Sequence, residues 1–364
     1  MTPLDAHIIH VIPNEAGGGA ERIVEELYGG FQAAGASVEC VYFTGTKGDG
    51  GNKTYFGARH DSPENIVQLR RLLKDRLARH GRVILHSHLT HGFYSALFAR
   101  AFLPVIWVHT EHNTTMRMRE IKALRPIERC FYMRCAKVGA ISAGVQKALI
   151  DVLGLPPAKI ALIHNGSRLF APVARPALDG RPLNIVSVGS LNRRKGFHTF
   201  IEALKKADIG PWRYTIVGTG SGEQDLRALA SRLGLDNRIT FAGYTDPRPH
   251  YEAADLQAIP SEWEGFGLVA VEGMSTGLQV IGSDVDGLRE VLGEDNSFAY
   301  LVGDHMSSSA WAKSLERCVS VLKTNANLSS IEAVEHAALF SLDKMVQGYS
   351  NLYIELLAGF RTSC

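Results

Sequence analysis

A short segment near residue 265 carries the residue types that bind a phosphorylated ligand. Two carboxylates, Glu264 and Glu272, enclose seven residues that include the glycines of residues 265–267. Glycines allow backbone amides to approach a ligand closely, and a helix beginning near Leu268 directs the positive end of its dipole at an anion. Together with Lys195-Gly196, this pattern favours an anion-binding turn over glutamates that occur by chance in a turn and a solvated helix.

A histidine-rich run is the second group of residues that could do chemistry. The run His86-Ser87-His88-Leu89-Thr90-His91 resembles the His-x-His-x-Asp-His zinc signature of metallo-hydrolases. Thr90 stands where that signature has its aspartate, and the remaining ligands of such a site are not evident. The pattern therefore favours histidines that pack at the end of a strand. A zinc-dependent hydrolase that uses His86, His88 and His91 stays open as an alternative.

The composition is that of a globular protein with two domains. The chain has 364 residues, of which 45% are hydrophobic and 21% charged, enough for two apolar cores. No apolar run is long enough to span a bilayer, and the N-terminus lacks a signal-peptide pattern. The five cysteines are scattered and odd in number, which is typical of reduced thiols. We therefore expect a cytoplasmic protein.

Short runs of β-branched residues alternate with helical patterns in both halves of the sequence. In the first half we expect strands at 7–12, 38–43, 83–86, 105–109 and 137–141. In the second half we expect strands at 183–188, 214–218, 238–241, 256–259 and 278–281. Residues 170–182, rich in proline and glycine, indicate a linker. The alternation predicts an α/β fold with two doubly wound parallel sheets, whose ligand lies in a cleft at the carboxyl ends of the strands.

Five motifs follow one another along nearly the whole chain. They are Gly17-Gly18-Gly19-Ala20-Glu21-Arg22, His164-Asn165-Gly166, Val188-Gly189-Ser190-Leu191 leading to Lys195-Gly196, Val217-Gly218-Thr219-Gly220, and the carboxylates Glu264 and Glu272. In this order they resemble the group 1 (family 4) retaining glycosyltransferases, whose Glu-x7-Glu motif the two carboxylates match. The resemblance implies the GT-B architecture, two Rossmann-like domains with an interdomain cleft. We expect an acceptor-binding domain at 1–170, a nucleotide-sugar donor domain at 171–340, and a C-terminal helix at 341–360 that packs back on the first domain.

The resemblance also implies a role for each matched residue. Lys195 would neutralise the β-phosphate as it leaves, Glu264 would contact the donor sugar, and Glu272 would accept hydrogen bonds from the ribose hydroxyls. His112 would touch the donor sugar or the acceptor, with His109 as the second choice. The other residues expected to surround the diphosphate, the sugar and the base are Gly18, Gly19, Tyr244, Phe266, Gly267, Leu268 and Val269.

One donor-site position departs from the family pattern. Ser190 occupies the place of an arginine, and a hydroxyl cannot supply the missing positive charge. Arg193 or Arg194 would have to replace it. A non-catalytic nucleotide-sugar binding protein is therefore a further alternative.

Charge is distributed unevenly between the two halves. Residues 1–170 carry a net charge of +7 and the remainder −5. Residues 116–137 interleave apolar residues with Arg117, Arg119, Lys122, Arg125, Arg129, Arg134 and Lys137. Such a surface can bind an anionic membrane, or it can belong to an ordinary helix whose apolar face lies in the core. Both interpretations stay open.

The resemblance thus predicts a metal-independent, retaining hexosyltransferase. It would move a sugar from a UDP- or GDP-sugar to a hydroxyl of a carbohydrate or lipid-linked acceptor, in polysaccharide or glycolipid biosynthesis. We expect no cofactor, since the nucleotide-sugar donor is a substrate, and no nucleic-acid partner. The basic N-terminal domain indicates a peripheral contact with the inner face of the membrane.

Overall fold

The computed structural model of the protein describes residues 4–15, 18–45, 52–114, 117–175, 178, 180–294 and 296–360, with only the backbone for residues 117, 118 and 324–329. The chain divides into two compact units, Met1–Gly166 with Leu342–Cys364, and Ser167–Ser341. The first unit thus ends at Gly166, whereas the sequence placed the boundary at residue 170, and it includes the C-terminal segment.

The first unit is built on a parallel sheet. Its strands are β1 (His7–Ile12), β2 (Val38–Tyr42), β3 (Lys53–Tyr55), β4 (Val83–His88), β5 (Ile106–Glu111), β6 (Lys137–Ala140) and β7 (Ile160–Leu162). They pair in the order β3-β2-β1-β4-β5-β6-β7. Every residue of β1, β2, β4 and β5 is buried, as expected for strands covered by helices on both faces.

The helices of the first unit connect successive strands. They are α1 (Gly19–Ala33), α2 (Glu64–His80), α3 (Leu89–Ala99), α4 (Arg117–Glu120), α5 (Arg125–Tyr132) and α6 (Ala143–Asp151). Crossovers between parallel strands are right-handed. The step from β1 to β2 runs in the opposite direction to the steps from β3 onward, so α1 covers one face of the sheet and α2, α3, α5 and α6 cover the other.

The second unit repeats this architecture. Its strands are β8 (Leu183–Val188), β9 (Trp212–Val217), β10 (Ile239–Gly243), β11 (Leu256–Ile259), β12 (Gln279–Ser283) and β13 (Ala299–Val302), paired in parallel in the order β10-β9-β8-β11-β12-β13. Its helices are α7 (Phe197–Lys206), α8 (Glu223–Leu233), α9 (Arg248–Ala253), α10 (Leu268–Ser275), α11 (Asp286–Leu292) and α12 (Ser308–Ala337). The rings of Tyr214 and Trp311 pack edge-on against Phe200 in its core.

The last helix, α13 (Leu342–Gly359), packs against α1 of the first unit. The ring of Tyr353 stacks on Phe31, with ring centres 5.4 Å apart. Gly30 faces Val346 so closely that a Cβ at residue 30 would overlap the Val346 side chain. Among the described helices, none is both long and apolar enough to cross a membrane.

The contact between α1 and α13 predicts opposite effects for two neighbouring glycines. Gly30→Ala should lower the free energy of unfolding by about 1–3 kcal/mol, because valine is stiff in a helix and cannot move aside. Gly29→Ala, on the same helix but with open space around its Cα, should raise it by about 0.5–1 kcal/mol. Urea unfolding followed by circular dichroism measures both. Equal stability of the two variants would show that α13 does not pack on α1 in this way.

Candidate functional site

The strand order of the second unit brings its matched residues to one edge of the sheet. The first strand of this unit, β8, lies between β9 and β11, so the chain reverses its direction of progress at the boundary between β8 and β11. Ligands of open α/β sheets bind at such a switch point, outside the carboxyl ends of the strands. Lys195 follows β8 and Glu264 follows β11. The topology alone therefore places both residues at the switch point.

Lys195 and Glu264 contact each other directly. The ammonium Nζ of Lys195 lies 2.7 Å from Oε2 of Glu264, and the Ser261 hydroxyl donates to the same oxygen at 3.0 Å. Both charged side chains keep part of their surface exposed. The site thus presents a cation and a carboxylate side by side, which suit a phosphate and sugar hydroxyls respectively.

A close approach of two backbone segments holds this pair together. Gly196 has a φ of +64°, and a Cβ at this position would overlap the carbonyl group of Pro260. Any side chain here would push the loop after β8 away from the loop after β11. The amide of Glu262 also donates to the carbonyl of Arg194 at 2.8 Å. The Lys195–Glu264 contact therefore requires glycine at residue 196.

Helix α10 begins next to Glu264. Its N-cap is Gly267, with a φ of +83°. Leu268 and Val269 lie in the first turn, where backbone amides have no acceptor in the preceding helical turn and the positive end of the helix dipole attracts anions. Phe266 is buried immediately before them. The segment from Phe266 to Val269 thus combines a left-handed glycine with first-turn amides, as an anion-binding turn requires.

Glu272 lies deeper than Glu264, on the second turn of α10. The residue is 1% exposed. The Ser167 hydroxyl donates to Oε1 at 3.3 Å and the Tyr251 hydroxyl to Oε2 at 3.2 Å. A buried carboxylate needs such donors to offset its lost hydration. The predicted contact between Glu272 and a ribose stays a prediction.

The remaining donor-site residues lie on exposed loops. Ser190 accepts a hydrogen bond from Nδ2 of Asn192 at 2.8 Å and has no charge of its own. The guanidinium of Arg194 lies 5.9 Å from the ring centre of Trp263, the residue before Glu264. Tyr244 follows β10 with its ring exposed.

The first unit has a switch point of its own, between β1 and β4. Gly18 and Gly19 follow β1; Gly18 is the N-cap of α1, and both glycines are exposed. Gly17, which belongs to the same motif, lies outside the described residues. An exposed helix N-terminus at a switch point is suited to an anion.

Buried histidines line the same switch point. Nδ1 of His10, on β1, lies 3.1 Å from Nε2 of His88, on β4. Nε2 of His112, the residue just after β5, lies 3.2 Å from Nδ1 of His88. Burial lowers the pKa of His10 to about 3 and that of His112 to about 4, and it holds the pKa of His88 well below its usual value. All three rings are therefore neutral at pH 7.

His10 is a site residue that the sequence did not reveal. It lies within an apolar strand, and its neighbours in the chain carry no chemistry. Only the pairing of β1 with β4 brings it next to His86 and His88. His109 points elsewhere: its Nδ1 donates to the carbonyl of Ser87 at 2.9 Å.

Part of this cluster has a geometry that could hold a metal ion. His10, His86 and His88 place one ligand atom each within 4.8 Å of one another. Both nitrogens of His86 already have partners, because Nδ1 contacts the Tyr353 hydroxyl at 2.5 Å and Nε2 contacts the Thr110 hydroxyl at 2.7 Å. A metal ion would have to break one of these hydrogen bonds.

The zinc-ligand set considered from the sequence does not assemble. His91 is exposed, and its ring lies 4.7 Å from that of His60. Within the part of the chain that the structure describes, His91 does not join the metal-compatible group of His86 and His88, whose third member is His10. The reason is that a helix begins at Leu89, so the chain turns away before residue 91.

Arg119, one of the basic residues of the segment 116–137, is buried and does not face solvent. Its side chain is 2% exposed, and Nη2 lies 2.9 Å from Glu111 and 3.1 Å from Glu128. The Tyr132 hydroxyl donates to the same carboxylate of Glu111 at 2.5 Å. Burial raises the pKa of Glu128. At Glu111 burial is the largest single effect, but Arg119, His109 and Tyr132 together outweigh it and lower the pKa. Arg119 therefore does not contribute to a solvent-facing basic surface, because its charge pairs with carboxylates inside the unit.

Two family models match adjoining parts of the chain. The model described as glycosyltransferase family 4 matches residues 17–168, and the model described as glycosyl transferases group 1 matches residues 173–331. A D-inositol 3-phosphate glycosyltransferase of Corynebacterium urealyticum is 29% identical over 311 residues, which are 75% of this chain and 71% of that protein. The chain spans about half the length of further curated relatives with the same description.

Solved structures share the fold over nearly the full chain. A glycosyltransferase from Rickettsia africae ESF-5 superimposes with a TM-score of 0.81 at 20% identity, covering 97% of this chain and 98% of that one. HepE of Anabaena, in complex with UDP and glucose, superimposes with a TM-score of 0.77 at 20% identity, covering 96% of this chain and 100% of that one. At these identities the likeness concerns the fold alone. The two family models, which together span residues 17–168 and 173–331, show that this chain belongs to the group 1 (family 4) glycosyltransferases, and the solved structures show that it has their GT-B fold of two Rossmann-like domains.

Proposed function

We propose that the protein is a retaining glycosyltransferase that moves a hexose from a UDP- or GDP-sugar to a hydroxyl acceptor. The observation that carries this proposal is the Lys195–Glu264 pair beside the N-terminus of α10. A diphosphate needs positive charge and amide donors, and a sugar needs a hydrogen-bond acceptor for its hydroxyls. All of these lie at the carboxyl ends of β8 and β11.

The proposed reaction exchanges one bond at the anomeric carbon for another. The bond from this carbon to the diphosphate oxygen breaks, and the acceptor oxygen forms its bond on the same face, which retains the configuration. The acceptor's proton passes to the departing phosphate oxygen. Lys195 and the amides of Leu268 and Val269 stabilise the negative charge that develops on the diphosphate, the type of interaction that lowers a barrier most effectively.

Recognition of the donor would rest on three further residues. Glu272 would accept hydrogen bonds from the ribose hydroxyls, with its carboxylate oriented by Ser167 and Tyr251. Arg194 would supply the positive charge that Ser190 lacks, because it lies beside Trp263 and therefore close to Glu264. With two side-chain cations at the diphosphate, we propose that catalysis requires neither a metal ion nor a cofactor.

The comparisons support this class of substrates. HepE binds UDP and glucose according to its description, and the curated relatives are named for the transfer of a sugar to D-inositol 3-phosphate. For this chain we propose a nucleotide-sugar donor and a hydroxyl acceptor on a carbohydrate or a lipid-linked sugar. Polysaccharide or glycolipid biosynthesis at the cytoplasmic face of the membrane is the proposed setting, without a nucleic-acid partner.

A membrane contact is favoured by the outer surface of α3 and α5. Phe98 and Phe102 are exposed near the end of α3, and Ile127 and Met133 are exposed on or just after α5. The two helices are neighbours, since Nη1 of Arg100 donates to the carbonyl of residue 134 at 2.9 Å. Apolar side chains among cations form the kind of surface that binds anionic lipid.

The distribution of charge on α5 supports the same contact. Its carboxylate, Glu128, is fully buried against Arg119, whereas Arg129 and Arg134 face solvent. The outer side of this helix therefore presents positive charge without a compensating acid from the helix itself. Met116 lies outside the described residues, as do the side chains of Arg117 and Met118.

Donor binding tests the nucleotide site. Calorimetry with UDP, GDP and their common sugar conjugates, with EDTA present, should show saturable binding of one nucleotide. Glu272→Gln should weaken that binding about tenfold or more, because it replaces a charged acceptor of the ribose hydroxyls. Glu252→Gln is the control and should bind normally, because Glu252 is a partly exposed carboxylate on α9 that pairs with Arg248. Unchanged affinity in Glu272→Gln would move the nucleotide away from α10.

A turnover assay tests whether Lys195 supplies the positive charge that stabilises the departing diphosphate. Lys195→Gln should reduce kcat by about 10²–10³-fold with the donor found by calorimetry, and KM should change less. Lys205→Gln, in the exposed last turn of α7, should keep the normal rate. If Lys195→Gln turned over normally and Arg194→Gln did not, the stabilising charge would belong to Arg194. Tight donor binding by the unaltered protein without transfer to any acceptor would favour the non-catalytic alternative.

Vesicle binding tests the membrane surface. The protein should sediment with vesicles of phosphatidylglycerol and phosphatidylcholine, and less with phosphatidylcholine alone. Replacing Phe98 and Phe102 together by serine should weaken sedimentation about tenfold through lost apolar burial. The same change at Met306 and Ile331, exposed residues of the second unit, should have no effect. Equal loss in both double variants would argue against a specific surface on α3 and α5.

A further inference from the structure

His10, His88 and His112 form a chain of imidazole rings that ends inside the first unit. Nδ1 of His10 faces Nε2 of His88, and Nδ1 of His88 faces Nε2 of His112. At the inner end, Nε2 of His10 is buried and has no hydrogen-bond partner among the residues that the structure describes. At the outer end, Nδ1 of His112 contacts no group in the described part of the chain, and the residue keeps 7% of its surface exposed.

The protons in such a chain have only two arrangements. A neutral imidazole carries one N–H and one lone pair, and each contact between two rings needs one N–H. If the protons point inward from His112 to His10, an N–H is left on Nε2 of His10 with nothing to receive it. If they point outward, Nε2 of His10 keeps a lone pair, and the last N–H appears on Nδ1 of His112.

The outward arrangement has the lower free energy. Both arrangements satisfy the outer nitrogen of His112, because water or a ligand can donate to it or accept from it. They differ at the buried end, where an orphaned N–H is rarer in protein interiors than an acceptor left without a donor. Burial also keeps the three rings neutral at pH 7. No ring therefore carries a second N–H, and only the two arrangements described above are possible.

We propose that His88, held by His10, is a positioning residue that fixes His112 as a hydrogen-bond donor through Nδ1–H. This role rests on the proposed function, in which His112 contacts the donor sugar or the acceptor. A neutral Nδ1–H donor orients a hydroxyl or an ether oxygen of the sugar and does not remove a proton. This is consistent with a reaction in which the departing phosphate takes the acceptor's proton.

His86 lies beside these three rings but makes its hydrogen bonds to other residues. His86 stacks on His88 with ring centres 4.1 Å apart, but its nitrogens contact Tyr353 and Thr110. His86 therefore packs against the chain of rings without exchanging a proton with it. The direction of the hydrogen bonds along the three rings is therefore set by the buried end at His10.

The tautomer of His112 can be measured without any substrate. Long-range ¹⁵N–¹H correlation spectra of the histidine-labelled protein at pH 7 distinguish the two tautomers, and the His112 signals are those that disappear in His112→Gln. The proposal expects Nδ1–H on His112 in the unaltered protein. In His88→Leu this preference should be lost, and in His88→Asn it should return, because the asparagine amide nitrogen occupies the place of Nδ1 of His88. Nε2–H on His112 in the unaltered protein would overturn the proposal.

Kinetics separate the positioning role from a structural one. With UDP-glucose as the probe and UDP release as the readout, His88→Leu should lower kcat about 10–100-fold with little change in KM. His88→Asn should recover most of this loss. In a His112→Ala background, His88→Leu should cost nothing further, whereas an additional equal loss would show that His88 acts independently of His112 and would overturn the proposal. Full turnover by His112→Ala would instead contradict the proposed role of His112, and the spectra decide the tautomer in either case.

Discussion

The close approach of the loops after β8 and β11 is the constraint on which the proposed donor site depends. Neighbouring strands of a sheet lie about 4.8 Å apart, so the loops that leave them run close together, and their backbones can touch where a side chain is missing. Gly196 provides this gap against Pro260, and Gly287 provides it where α11 begins beside the carbonyl of Glu264. These contacts fix Glu264 relative to Lys195 and to the first turn of α10. The chemistry of the site follows from that spacing.

The same topological rule produces two different chemical environments in the two units. In the second unit the switch point carries Lys195 and Glu264, which remain partly exposed and keep their charges next to each other. In the first unit it carries His10, His88 and His112, which are buried and neutral. Burial accounts for the difference, because removing an imidazolium from water is costly unless an acid lies beside it. One site is suited to an anion, and the other to directed hydrogen bonds.

Most strands could be predicted from local apolar patterns in the sequence, but three strands at the edges of the sheets could not. The strands at 183–188 and 256–259 were predicted with the boundaries that the structure has, because short segments rich in apolar residues are typical of buried parallel strands. The strands β3, β7 and β13 have three or four residues and lie near the sheet edges, where pairing with a neighbour rather than local sequence creates them. The inward position of Arg119 also escaped prediction, because its partners Glu111 and Glu128 surround it only in the folded unit.

The sequence by itself determined the two α/β units, the glycine turn at which a helix begins at Leu268, and the family, because these depend on local periodicity and on glycines at fixed spacing. Only the tertiary structure decided which side chains meet. His10 lies next to His88 because β1 pairs with β4, and Lys195 meets Glu264 because β8 lies beside β11. Such contacts join residues about 70 to 80 positions apart, and their existence follows from strand order, which no short stretch of sequence encodes.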